Sequence, residues 1–196
     1  MGFGYKTQWI AVRDGEVDAV SRALGLVDPV PMGWDEGADA AYAQGVYVTP
    51  PVHGWVLAHG RHLTVPDPGD QGFAARLEEL SEQFGEVQFF GTHRVVEYHA
   101  WVLARGGALE RGYCYVGDRG EVPLFVGEPT PVECELGKGL LPLSEDCADW
   151  GDSEWERWHA TTPSEDDVMA VAARWSVDPS ELTGVPGPGL YAATVR

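Results

Sequence analysis

The sequence predicts an α+β protein in which an antiparallel β-meander sheet is packed by a few amphipathic helices. Three observations predict it. Strand-like segments between Glu86 and Val126 follow one another with glycine-containing turns between them. Two segments, 72–84 and 164–175, carry apolar residues at helical spacing. The 196 residues, 44% of them apolar, fit one domain that can bury a core without staples.

In chain order, residues 8–13 read as a first strand. Asp14 is placed to cap the next segment, where Val17, Val20 and Leu24 recur at helical spacing and Gly25 ends the run. Residues 26–44 are loop-rich, with a short helix over 38–44. Residues 45–49 and 54–59 are strand-like, and Pro50-Pro51 between them cannot donate ladder hydrogen bonds. Residues 66–69, Pro-Asp-Pro-Gly, form a turn. Phe73, Leu77, Leu80 and Phe84 then make one apolar stripe, with Glu78, Glu79 and Glu82 off it and Gly85 closing the helix. Strands follow at 86–90, 95–105, 108–116 and 122–126. Gly106-Gly107 matches a two-residue hairpin loop, and 117–120 is a second turn. Beyond Gly127 the pattern weakens into an acidic, partly helical C-terminal segment from about residue 144. There Ser164 and Asp167 suit a capping box, Val168, Val171, Ala172 and Trp175 form a buried face, and 178–181 begin a further short turn. The chain is expected to form a single domain over 1–196.

Charge narrows the functions. Thirteen Lys and Arg stand against 31 Asp and Glu, a net of −18. That field repels nucleic acid and anionic membranes and attracts basic proteins. Residues 144–181 hold eleven acids and two bases, a net of −9, so half of the charge falls in a fifth of the chain. No apolar run approaches the roughly 18–20 residues that span a bilayer, and the N-terminus lacks a signal-peptide core. Cys114, Cys134 and Cys147 are odd in number and form no C-x-x-C pair, against a disulfide framework or a thiolate zinc site. The expectation is a cytoplasmic protein with no cofactor.

Catalytic candidates centre on GTHRVVEYHAW, residues 91–101. A straight strand through both would put His93 and His99 on one face about 20 Å apart, too far to share a metal ion unless the chain bends between them. If Gly106-Gly107 is a regular hairpin loop, His99 faces Cys114. Glu97, His99, Trp101, Leu103 and Cys114 then share one face, and Arg111, Tyr113 and Tyr115 the other. Glu97, His99 and Cys114 could together activate a thiol, with the imidazole taking the proton and the carboxylate orienting the ring. His53, His59 and His62 are the candidate metal ligands, although no H-E-x-x-H or paired aspartate accompanies them. GFGYKT at 2–7 lacks the glycine and the preceding strand of a phosphate loop, and no G-x-S-x-G is present. Residues 171–182 have a helix–turn–helix rhythm, but their acidic surroundings oppose DNA.

The stretch CADWGDSEWERWH, 147–159, interleaves tryptophans with acids. Trp150, Asp152, Glu154, Trp155, Glu156 and Trp158 form the candidate partner-binding set: aromatic anchors ringed by negative charge, suited to a basic protein surface. An acidic α+β protein with this layout is similar in type to bacterial immunity and antitoxin proteins, a likeness of class and charge rather than of motif. The leading expectation is a non-enzymatic binding protein for a basic partner. The alternatives are an enzyme with a dispersed His/Glu/Cys or His-metal site, and a structural component of a larger assembly.

Overall fold

In the computed structural model, which describes residues 2–61, 63, 67–117, 120–140 and 150–196, the chain opens with β1 (Thr7–Arg13). Trp9, Ile10, Ala11 and Val12 are all fully buried. An unalternating apolar run of this kind belongs to a strand covered on both faces, and β1 lies well inside the sheet. After it come α1 (Val17–Ala23), β2 (Val30–Met32), α2 (Trp34–Ala43), β3 (Val46–Val48), β4 (Trp55–His59) and α3 (Phe73–Phe84). Next are β5 (Glu86–His93), β6 (Tyr98–Arg105), β7 (Ala108–Val116) and β8 (Glu121–Val126). The chain continues with α4 (Pro131–Leu136), α5 (Asp152–Thr161), α6 (Glu165–Trp175), a 3-10 turn (Pro179–Glu181) and β9 (Gly189–Ala192).

The strands form one nine-stranded antiparallel sheet in the order β2-β9-β3-β4-β1-β5-β6-β7-β8. Its second half, β5 to β8, is the expected meander. One face packs beneath α1 and α3, where Val20, Leu24, Phe73, Leu77 and Leu80 meet Ile10, Val12, Phe89, Ala100, Val102 and Cys114. Phe73, Leu77 and Leu80 are essentially fully buried, so the predicted stripe of α3 contributes roughly 5–9 kcal/mol of gross burial. The opposite face carries α2, α4, α5 and α6. Trp34, Ala38, Val132, Trp158, Val168 and Val171 pack there against Trp9, Phe90, Trp101 and Tyr113. Among the described residues no helix is long and apolar enough to cross a membrane.

Several elements differ from the sequence reading. Asp14 does not cap α1. It takes a left-handed φ of 49° in the turn after β1, and Glu16 holds the cap position. The helix read at 38–44 begins earlier, at Trp34, which plugs its side chain into the core. The strand read at 86–90 runs on to His93, and the one read at 95–105 begins at Tyr98, because residues 94–97 form a turn. β2 and β9, three and four residues long, are too short to show a period. The capping box Ser164–Asp167 forms as expected, with Asp167 Oδ2 accepting from the Ser164 backbone at 2.8 Å.

The hairpin β6–β7 departs most consequentially. Gly106-Gly107 makes the turn with both φ angles positive, as a type I′ loop requires. Arg105 pairs with Ala108 and Ala104 with Leu109, but Leu103 then pairs with Arg111. Glu110 is thus an extra residue, a β-bulge that shifts the register by one and turns every later side chain of β7 to the other face. Arg111 therefore faces α4. Its guanidinium contacts Glu133 through Nε at 2.9 Å and Nη2 at 2.6 Å, and donates further to the carbonyls of Val126, Gly127 and Gly139. Both side chains are essentially inaccessible, at 2% and 0% exposure. A buried pair needs this full set of partners to offset its desolvation.

Candidate functional site

One end of the sheet gathers polar side chains where β5 turns into β6. The turn Arg94-Val95-Val96-Glu97 stands out from the surface, with Val95 at 73% exposure. Glu97 closes it in a left-handed conformation, φ 49°, which is uncommon for a residue with a side chain. Its carbonyl accepts from the Gly117 backbone at 3.2 Å, tying the turn to the end of β7. A side chain on Gly117 would strike both Glu97 Oε2 and the Tyr115 hydroxyl, so carboxylate and phenol crowd the same spot. Burial, and then the Glu97 charge, raise the pKa of Tyr115 above its ordinary value.

Behind the turn lies a cleft of about 360 Å³ between β6–β7 and the α5–α6 connection, lined by Arg94, Glu97, His99, Tyr115, Glu165 and Asp166 among others. Three strands build its floor: Thr92 pairs with His99, and His99 with Tyr115. His99 is buried, and its Nδ1 lies 3.0 Å from the Thr92 hydroxyl, which reaches Glu165 at 3.4 Å. Burial pushes the His99 pKa down to about 4 against an opposing pull from Asp167, so the ring is neutral at pH 7. The first turn of α6 supplies Glu165 and Asp166 at the rim. A neutral imidazole with three carboxylates and one guanidinium makes a cleft of net negative charge.

The sequence-predicted catalytic trio is not assembled. Because of the Glu110 bulge, Cys114 pairs with Ala100, not His99, and lies on the α3 face of the sheet. Burial raises its thiol to about 12, far from a reactive thiolate. His99 and Glu97 remain on the cleft, one as buried floor and the other as exposed rim. His93 and His99 are not 20 Å apart along one strand, since the chain reverses between them. His93 pairs with Tyr98 and so faces away from His99.

The metal candidates are also dispersed. His53 is exposed in the turn before β4, with φ 50°, and His59 ends that strand fully buried. His59 stacks on Phe3 at 4.0 Å and meets Tyr42 edge-on, and among the described residues neither ring nitrogen finds a hydrogen-bond partner of good geometry. Burial pushes its pKa down to about 3, against a smaller pull from the Ala38 backbone. His62 lies outside the described residues, as do 144–149 of the acidic stretch. Among the described residues no group of three His, Cys, Asp or Glu is arranged to hold a metal ion.

Trp155 and Trp158 of the tryptophan stretch lie on α5, and Trp150 just precedes it. Trp158 is sunk into the core, 5.6 Å from Tyr115 in an edge-to-face contact. Trp155 meets Trp158 at 5.9 Å and Trp150 at 5.0 Å, and both outer indoles are only half-buried. Asp152 and Glu156 are exposed, while Glu154 folds back to accept from the Gly151 backbone at 3.2 Å. Tyr115 thus joins two features: it lines the acidic cleft and begins a row of aromatic rings leading outward. Sequence reasoning missed Tyr115, Glu165 and Asp166 as cleft residues, and Thr92 as the hydrogen-bond partner of His99. A turn placed at 94–97 is the signal that would have paired Thr92 with His99. No family model matches the chain, and no curated protein or solved structure matches it.

Proposed function

We propose that the protein is a non-enzymatic binding protein of the immunity or antitoxin type, whose acidic cleft and aromatic row dock a basic protein partner. The observation that carries this reading is the continuity through Tyr115 of a negatively charged cleft with the half-buried Trp155 and Trp150. Aromatic anchors beside charge that steers the encounter are the usual make-up of a tight protein interface. Val95 and Val96, two of the four large exposed apolar side chains among the described residues, sit on the same turn and add apolar contact. Cys114 pairs with Ala100 rather than His99, so the thiol version of the enzyme reading gains no support from the register, which supports the binding reading.

Co-purification from the host at low and at high salt tests the proposal. The wild-type chain should retain a basic partner at low salt and release it as screening rises. A Glu165→Gln/Asp166→Asn variant and a Trp155→Ala variant should each retain less. Failure to hold any basic partner at low salt, or equal retention by the variants, would overturn it.

A further inference from the structure

On the other side of the β5–β6 hairpin lies a second cavity, of about 280 Å³. Lys6, Thr7, Arg61, His93 and Tyr98 contribute to its wall, and its chemistry is the reverse of the acidic cleft. Arg13, Arg76, Arg105, Arg111 and Arg174 each pair with a carboxylate. Among the described residues, Lys6 and Arg61 form no ion pair, and both line this one cavity. Lys6 and Arg61 outnumber the single carboxylate of this wall, Asp67, a local balance opposite in sign to the chain's net charge of −18.

The buried polar atoms at the same place point the same way. Among the described residues the Tyr98 hydroxyl and His93 Nδ1, which line this cavity and an adjoining one of about 440 Å³, are buried and have no hydrogen-bond partner. An unmet buried hydroxyl forfeits the hydrogen bonds it made to water, so such groups are rare in folded proteins and call for a reason. The fold places this one deliberately. Tyr98 lies across the neighbouring strand over Gly91, where an added Cβ would come within 2.7 Å of its ring and 2.9 Å of its hydroxyl. Only glycine at position 91 leaves room for the Tyr98 ring in this place. Burial raises the Tyr98 pKa well above its ordinary value, so the group is a hydrogen-bond donor at any physiological pH. Two cations and a buried phenol donor suit an oxyanion. Asp67, also in the wall, disfavours high negative charge and offers an acceptor for a donor elsewhere on the ligand.

We propose that this cavity binds the oxyanion of a small molecule, a carboxylate or a phosphate, held by Lys6 and Arg61 and accepting a hydrogen bond from the Tyr98 hydroxyl. The site is independent of the partner-docking reading: its lining shares no residue with that of the acidic cleft.

Calorimetric titration of the full chain with inorganic phosphate and, separately, with succinate at low ionic strength tests it. Saturable binding of one probe is expected at millimolar concentration or below, and which probe binds distinguishes phosphate from carboxylate. Lys6→Met/Arg61→Gln should weaken that binding roughly tenfold or more, since it removes two charge-assisted contacts. Tyr98→Phe should weaken it several-fold without lowering the melting temperature of the unliganded protein. Absence of saturable binding for both probes, or undiminished binding by the double variant, overturns the proposal. So does a Tyr98→Phe protein that melts earlier than its parent, because the hydroxyl would then have a structural partner.

Discussion

Glu133→Ala should be among the most damaging single substitutions in this protein. The Glu133 carboxylate is fully buried and accepts from Arg111 Nε at 2.9 Å and Nη2 at 2.6 Å, and from Trp101 Nε1 at 2.8 Å. It also caps α4, taking the Thr130 backbone N–H at 2.8 Å and hydroxyl at 2.7 Å. Alanine would strand the guanidinium of Arg111, at 1% exposure, without its counter-charge. Breaking a buried pair costs about 3–5 kcal/mol, and the unmet indole and lost cap bring the expected total to roughly 4–6 kcal/mol. That is about half of a typical folding free energy of 5–15 kcal/mol. Urea unfolding followed by tryptophan fluorescence measures it. Arg111→Met/Glu133→Leu should recover most of the loss, because neither charge is then left alone. A Glu133→Ala cost below about 1 kcal/mol, or a double variant no better than the worse single one, would refute the reasoning.

Three other outcomes follow from the same structure. Thiol labelling of the folded protein, mapped by peptide, should modify exposed Cys134 and leave Cys114, buried with a thiol raised to about 12, untouched until denaturant is added. Folding stability should fall with acid: His59 and His99 are depressed to about 3 and about 4, so their contribution is complete above the unfolded value near 6.5 and is lost as pH drops towards those folded values. At about 1.4 kcal/mol per pH unit for each ring, the stability at pH 5.5 should lie roughly 2–3 kcal/mol below that at pH 7.5, and equal urea midpoints at the two pH values would count against neutral buried rings. Trp158→Ala should cost about 3–5 kcal/mol as a core truncation, whereas Trp155→Ala, at a half-buried ring, should cost under about 2 kcal/mol and act mainly on partner retention.

The elements legible in the sequence are those whose pattern is local. The α3 stripe, the α6 capping box, the Gly106-Gly107 loop and the buried run of β1 each declare themselves within a dozen residues. The illegible ones depend on partners far along the chain. β9 lies between β2 and β3 and is helped in place by a Tyr191 hydroxyl donating to the Gln44 carbonyl at 3.0 Å, a contact across 147 residues. α4 is six residues long, and its Glu133 carboxylate finds Arg111 on the facing strand, 22 residues back in the chain. Nothing in the segment itself announces that.

The functional surface was illegible for a sharper reason: strand periodicity fixes faces only once register is known, and register failed by one residue. Nothing in LERGYCYV says that Glu110 is left over. The competing arrangement would have put Arg111 on the α1–α3 face among Ala100, Val102 and Leu80, a lone guanidinium in an apolar layer with Glu133 on the wrong side. Stranding that charge costs several kcal/mol, far more than one bulge. The bulge is therefore the cheaper solution, and everything at the far end of β7 inherits it. Tyr115 comes to lie beside His99, where it joins cleft to tryptophans, and Cys114 goes under α3, where it is inert. A buried ion pair near Gly106-Gly107 thus decides, through one extra residue, which chemistry the opposite end of the hairpin presents.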